Sequence, residues 1–207
     1  MPSRGVTIVK LGGSLAASPA LKGWIAALAK CGGCAVIVPG GGPFADAVRV
    51  LQPKIGFDDR AAHHMALLAM EQYACALASL NQRLALAPSA AAIRRLLRAR
   101  RVPIWSPARM VLAAPDIPWS WDVTSDSLSA WLARRIGAER LLLAKPIDLP
   151  APSIRIDALV TRGLVDPAFP RFLAASSATA SIVGPNDAAA AAVAIRNGRA
   201  AGARIVL

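Results

Sequence analysis

Residues 8–16 read IVKLGGSLA. A β-branched, apolar run is interrupted by a lysine, and two glycines follow almost at once. VTIVKL (6–11) has the composition and length of a strand. Gly12 and Gly13 after it let backbone N–H groups approach a ligand with no Cβ in the way. Such groups at a strand–loop–helix junction bind phosphate oxygens. Lys10 adds a point charge for the same anion; a snorkelling strand-end lysine is the plain alternative. The pattern recurs in CAVIVPG (34–40), a second strand of continuous apolar character, whose end runs into PGGGPFAD (39–46) with Gly40, Gly41 and Gly42. A simple turn would also use glycine there. Neither loop is followed by GKS or GKT, and neither has GxGxxG spacing, so Walker and Rossmann sites are excluded.

Working outward, PALKGWIAALAK (19–30) carries apolar residues at helical spacing. GGPFADAVRVL continues into a helix, and residues 57–81 form a long one without Gly or Pro. SAAAIRRLLRAR predicts another helix, and VPIW and RMVLAA (102–114) predict strands. APDIPWSWD (114–122) is a Pro- and Trp-rich loop. TSDSLSAWLARRIG (124–137) opens on a capping residue and runs as an amphipathic helix. RLLLAKPI is a strand ended by proline; a short helix near 167–175 follows, then strand, helix and strand in TASIVG, NDAAAAAVAIRNG and ARIVL. Alternation of this kind over the whole length predicts an α/β protein, a three-layer α/β/α sandwich on a mainly parallel sheet. Ligands in such sheets bind at the carboxyl ends of strands.

The 207 residues suffice for one core, and the 55% apolar content excludes a disordered chain. No apolar run reaches the roughly 18–20 residues of a membrane span, and the N-terminus shows no secretory pattern, so the expected location is cytoplasmic. The net charge of +12 invites a nucleic-acid partner. Yet 19 of the 24 cations are scattered arginines. The dense cluster RRLLRARR (94–101) sits at a predicted helix end, where cations suit the dipole. No aromatic stacking platform accompanies it, so no nucleic acid is expected. CGGC (31–34) has metal or redox spacing but no second pair, which leaves Cys31, Cys34 and Cys75 as structural or incidental cysteines.

Three blocks in order, VKLGGS, VPGGGPFAD and VTSDSLSAWLA (123–133), resemble the amino acid kinase superfamily. Within it, HHMALLAMEQYA and SWDVTSDSL look most like the kinases of methanofuran-type cofactor biosynthesis that act on aminomethylfuran phosphate. The resemblance implies one domain. Residues 1–115 would bind the acceptor, and residues 116–207 would form a shortened nucleotide-binding half. It implies ATP with Mg²⁺, and a homodimer through the long helix. By matched motif, Lys10 would sit on the transferring phosphoryl group and Gly12, Gly13 and Ser14 would hold it. Gly40, Gly41 and Gly42 would hold the acceptor's anionic end. Asp126 would orient the lysines, and Lys145 would be the second lysine, on the leaving-ADP side.

Phosphoryl transfer asks for alignment and charge neutralisation, which two lysines and several amides supply. A phosphate or carboxylate acceptor is already anionic and needs no general base. Asp126 could instead be an ordinary first-turn carboxylate and Lys145 a surface lysine. His63 and His64 are adjacent on the long helix, about 100° apart, so at most one faces a site; a structural role for both is the plainer reading, and His64 is the candidate for substrate contact. Trp119 and Trp121 either anchor their loop or offer an aromatic face to a furan ring and its aminomethyl cation, with Trp121 as the contact and Asp122 as counterion. The expected function is ATP-dependent phosphorylation of aminomethylfuran phosphate. Other monophosphate or carboxylate acceptors, or a catalytically weak anion-binding subunit, are the alternatives.

Overall fold

The computed structural model describes residues 5–148 and 151–207, and of Ser14 the backbone alone. Among these residues the strands are β1 (Thr7–Leu11), β2 (Ala35–Pro39), β3 (Leu84–Ala87), β4 (Val102–Trp105), β5 (Arg140–Ala144), β6 (Ser153–Arg155), β7 (Thr179–Val183) and β8 (Ala203–Val206). The helices are α1 (Ala20–Leu28), α2 (Gly42–Ile55), α3 (Asp59–Ser79), α4 (Ala90–Arg98), α5 (Ala108–Val111), α6 (Ser125–Ile136), α7 (Ile156–Thr161), α8 (Phe169–Ala174) and α9 (Ala188–Arg196). The strands form one sheet in the order β3-β4-β2-β1-β5-β7-β8-β6, in which β7 and β8 pair antiparallel and the other neighbours pair parallel. This is the expected three-layer α/β/α arrangement.

β1 lies in the middle of the sheet, and all five of its residues are buried. Its side chains alternate between two cores. Ile8 joins Leu141 and Leu143 of β5 under α6, α7 and α8, whereas Val9 and Leu11 join Leu142 and Ala144 under α1 and α9. Lys10 shares the parity of Ile8. It therefore leaves β1 on the α6 side, opposite Leu143 in the register, and Lys145 follows β5 on that same side.

Local chemistry sets the boundaries. Asp58 caps α3 by accepting from Ala61 N at 2.8 Å, and Ser89 caps α4 through Ala92 N at 3.2 Å. α6 stops at Gly137, which takes the left-handed conformation (φ 71°). The strand expected over RMVLAA does not form, and its first three residues belong to the short helix α5. Pro107 has no N–H for a ladder, and Glu71 of α3 accepts from Ala108 N at 3.0 Å, which satisfies the first donor of a helical turn. The short strands β3 and β6 were not expected from the sequence. β3 takes its register from β4, Leu84 opposite Val102 and Ala87 opposite Trp105.

The two glycine loops interlock. Gly40 N donates to Leu11 O at 2.8 Å. A Cβ on Gly13 would lie 2.4 Å from Gly42 N, and one on Gly40 would lie 2.3 Å from Gly13 N. Both loops thus come together at one end of β1 and β2, packed backbone to backbone. Gly23, on the exposed side of α1, meets nothing within 4 Å. Urea unfolding should therefore separate the two: Gly13→Ala loses about 1–3 kcal/mol through the backbone clash, whereas Gly23→Ala gains about 0.5–1 kcal/mol of helix propensity.

Candidate active site

At the carboxyl ends of β1 and β5, two ammonium groups meet one carboxylate. Lys10 Nζ lies 2.9 Å from Asp126 Oδ1, and Lys145 Nζ donates to both Asp126 oxygens at 3.0 Å. All three side chains are buried. Asp126 comes from the first turn of α6, so the helix N-terminus adds its own positive end to the cluster. Burial by itself would raise the Asp126 carboxyl, but the charges of Lys10 and Lys145 outweigh it and hold the group below its ordinary value. Burial, with Lys10 beside it, pushes Lys145 down to about 8, and Asp126 only partly opposes this. The cluster therefore carries surplus positive charge next to the glycine loops.

The start of α6 is held from a distance. Asp166, in the loop before α8, accepts from Thr124 N at 3.0 Å, Thr124 Oγ1 at 2.8 Å and Ser127 N at 3.0 Å, and its other oxygen accepts from Ser127 Oγ. Burial and the Asp126 charge raise the Asp166 carboxyl, and the Ser127 and Thr124 donors work against them. Sequence reasoning missed this residue, because DP after an apolar pair reads only as a turn.

A cleft of about 430 Å³ opens beside the cluster. Lys10, Gly13, Gly41 and Gly42 form one end, with Thr124 and Ser125 of the α6 start. α3 supplies a wall that includes His63, and Trp121 with Arg49 faces it. Trp121 donates through Nε1 to Gln52 Oε1 at 2.6 Å, and the Arg49 guanidinium stacks 4.4 Å from the centre of its ring. Lys145 and Asp126 touch Lys10 or its partner but are not part of the cleft lining.

The structure thus brings together Lys10, Asp126 and Lys145, and places Gly13, Gly41, Gly42 and Trp121 on the adjoining cleft. Gly12 and Gly40 belong to the same interlocked loops without lining it. The Ser14 side chain is outside the described residues. Two expectations are corrected. His64 is exposed and off the cleft, and the wall takes the buried His63 instead, one residue and about 100° away. Asp122 is exposed and also off the cleft; its backbone serves the loop, with its N–H on Ser120 Oγ and its carbonyl accepting from Ala168 N. The Trp121 face that was assigned to a substrate cation is covered by Arg49. Trp119 stands apart under the Arg60 guanidinium. The CGGC thiols are structural. Cys31 and Cys34 are buried, Cys31 Sγ donates to Ala27 O and Ala192 O, and burial pushes its thiol up to about 12.

Asp126→Asn leaves two buried ammonium groups without their counterion. It should lower stability in urea at neutral pH by about 3–5 kcal/mol. The sign with pH follows from linkage: a lysine depressed in the folded state loses its proton there before the unfolded chain does. The variant's stability should accordingly rise from about pH 7 to about pH 9.5. A flat profile would mean that Lys145 is solvated rather than caged.

Comparison with known proteins gives a consistent picture. The curated relative "[5-(aminomethyl)furan-3-yl]methyl phosphate kinase" of Methanocaldococcus jannaschii is 28% identical over 143 residues, which is 68% of this chain and 66%, just under two thirds, of that protein. The uridylate kinase of Archaeoglobus fulgidus superposes with a TM-score of 0.73 over 97% of this chain and 100% of its own, at 16% identity. The UMP kinase of Bacillus anthracis does so with 0.67 over 97% and 95%, at 17% identity. That of Ureaplasma parvum gives 0.68 over 98% and 99%, at 14% identity. At these identities the solved structures speak for the fold. The model of the amino acid kinase family matches residues 5–148, a span that takes in β1, both glycine loops and all three members of the lysine–aspartate cluster. The chain belongs to the amino acid kinase family.

Proposed function

We propose that this chain is an ATP-dependent small-molecule kinase that transfers the γ-phosphoryl group to a small anionic acceptor bound in the cleft, and that the acceptor is aminomethylfuran phosphate. The observation that carries the proposal is the surplus positive charge of Lys10, Asp126 and Lys145 at the mouth of two interlocked glycine loops. Donor and acceptor phosphates repel each other, and the ammonium groups offset that repulsion as the reacting oxygens approach. An acceptor phosphate oxygen attacks Pγ, the bond from Pγ to the β,γ-bridging oxygen breaks, and ADP departs while a diphosphate forms. No proton must be removed from the nucleophile. Lys10 lines the cleft and would contact the transferring group; Lys145, on the β5 side, would face the leaving ADP. Asp126 would orient both lysines.

Among the described residues no group of three or more His, Cys, Asp or Glu stands ready for a metal ion. Mg²⁺ would arrive on the nucleotide, held by phosphate oxygens and water, and would add charge neutralisation there. The 28% identity to the furan phosphate kinase supports the acceptor named. The decisive assay is ADP release with MgATP and a panel of acceptors: aminomethylfuran phosphate, UMP, isopentenyl phosphate and amino-acid carboxylates. Turnover is expected with the first, and Lys10→Met should lower kcat/KM by at least about 100-fold. If calorimetry detects no ATP binding, the chain is an anion-binding subunit and the proposal fails.

We also propose self-association through α2 and α3. Val50, Leu51 and Ile55 of α2, with Met65 and Leu68 of α3, expose apolar surface. Light scattering should give twice the 21.5 kDa chain mass, and Ile55→Glu combined with Leu68→Glu should return the monomer. A monomer in the unsubstituted protein refutes this arrangement.

A further inference from the structure

The cleft is unequal at its two ends. Lys10, Gly13, Gly41 and Gly42 make one end attractive to an anion. α3 presents Asp59, Ala62, His63, Ala66, Leu67 and Met70, side chains at i, i+3, i+4 spacing and therefore one stripe; its Asp59 end is bonded to Gln52 near the C-terminus of α2, whose other end starts at the glycine loop. Asp59 and His63 stand one turn apart on that stripe and are its polar members.

Both have hydrogen-bonding capacity to spare. His63 is only 6% exposed, yet its Nε2 has no hydrogen-bond partner. A polar atom buried in this way costs stability unless something else completes it. Burial pushes the imidazole below its ordinary value, so at neutral pH the ring is uncharged, with one N–H and one lone pair. Asp59 accepts from Gln52 Nε2 at 2.8 Å through Oδ1, and among the described residues no cation pairs with it. Gln52 in turn is fixed by Trp121. The guanidinium on the cleft lining, that of Arg49, is committed to Asp46 at 3.5 Å and to the Trp121 ring. A carboxylate with one oxygen still open, beside an uncharged imidazole that bonds the Ser120 backbone but has a bare Nε2, is poor company for an anion and suits a donor that carries positive charge.

We infer that Asp59 and His63 form a subsite for a protonated primary amine at the end of the acceptor remote from its phosphate. The ammonium donates to the free Asp59 oxygen and to the imidazole lone pair, and the apolar members of the stripe flank the acceptor's carbon skeleton. This assignment rests on the cleft being the acceptor site. It replaces Asp122, which lies off the cleft, as the amine's counterion.

The test compares two acceptors that differ in a single group: aminomethylfuran phosphate and the analogue with methyl in place of aminomethyl. The unsubstituted enzyme should favour the amine by at least tenfold in kcat/KM. In Asp59→Asn and in His63→Leu the preference should fall to threefold or less, and His63→Gln, which keeps an acceptor oxygen, should retain more of it than His63→Leu. Each ratio is measured within one preparation, so a partly unfolded variant does not distort it. Equal use of both acceptors by the unsubstituted enzyme overturns the subsite, as does a preference unchanged in both Asp59→Asn and His63→Leu. Affinities of the same two compounds by calorimetry give the ratio without turnover. A silent kinase reaction therefore overturns the proposed reaction, while the affinity ratio still decides the amine subsite.

Discussion

Two lysines and one aspartate, buried together at the ends of adjacent parallel strands, set the terms for the rest of the molecule. Removing an ammonium group from water costs several kcal/mol, and one carboxylate cannot neutralise two of them. The fold tolerates the arrangement because Asp126 touches both lysines at 2.9–3.0 Å and because the surplus charge lies beside an open cleft. A site held in that condition is completed by an anion. The depression of Lys145 to about 8 expresses the same imbalance, since burial and Lys10 together outweigh what Asp126 supplies.

The geometry around the cluster follows from packing. Lys10 and Lys145 share a side of the sheet because their strands are in register, and α6 covers that side. Asp166 accepts from the Thr124 and Ser127 amides at the start of α6 and so fixes the turn that carries Asp126. The interlocked glycine loops bring the N-terminus of α2 close to the same point, at contact distances that no side chain could occupy. Cation, amides and helix start therefore converge on one point.

Much of this was legible in the chain. The alternation of apolar runs and helical patterns, with glycines at the ends of the first two strands, carried the fold class. Lys10, Gly13, Gly41 and Gly42 stood out because each combines an unusual residue with a strand end. The short strands β3 and β6 were harder to see, because a few residues at a sheet edge carry little periodic signal. RMVLAA was misread as a strand for a related reason: its β-like composition was overruled by Pro107 and by a carboxylate thirty-seven residues away on α3.

By itself, the sequence determined the layer architecture and the ingredients of the site, because hydrophobic periodicity and glycine placement act over short distances along the chain. Tertiary structure alone decided which polar groups meet. Lys145 became a partner of Asp126 through strand register, and Asp166 became the distant anchor of a helix it does not belong to. His63 rather than His64 faces the cleft because helical phase is settled by what α3 packs against, and one residue along a helix turns a side chain by about 100°. Asp122 lost its assigned role for the same reason: proximity in sequence to Trp121 gives no direction in space, and its loop turns that side chain to solvent.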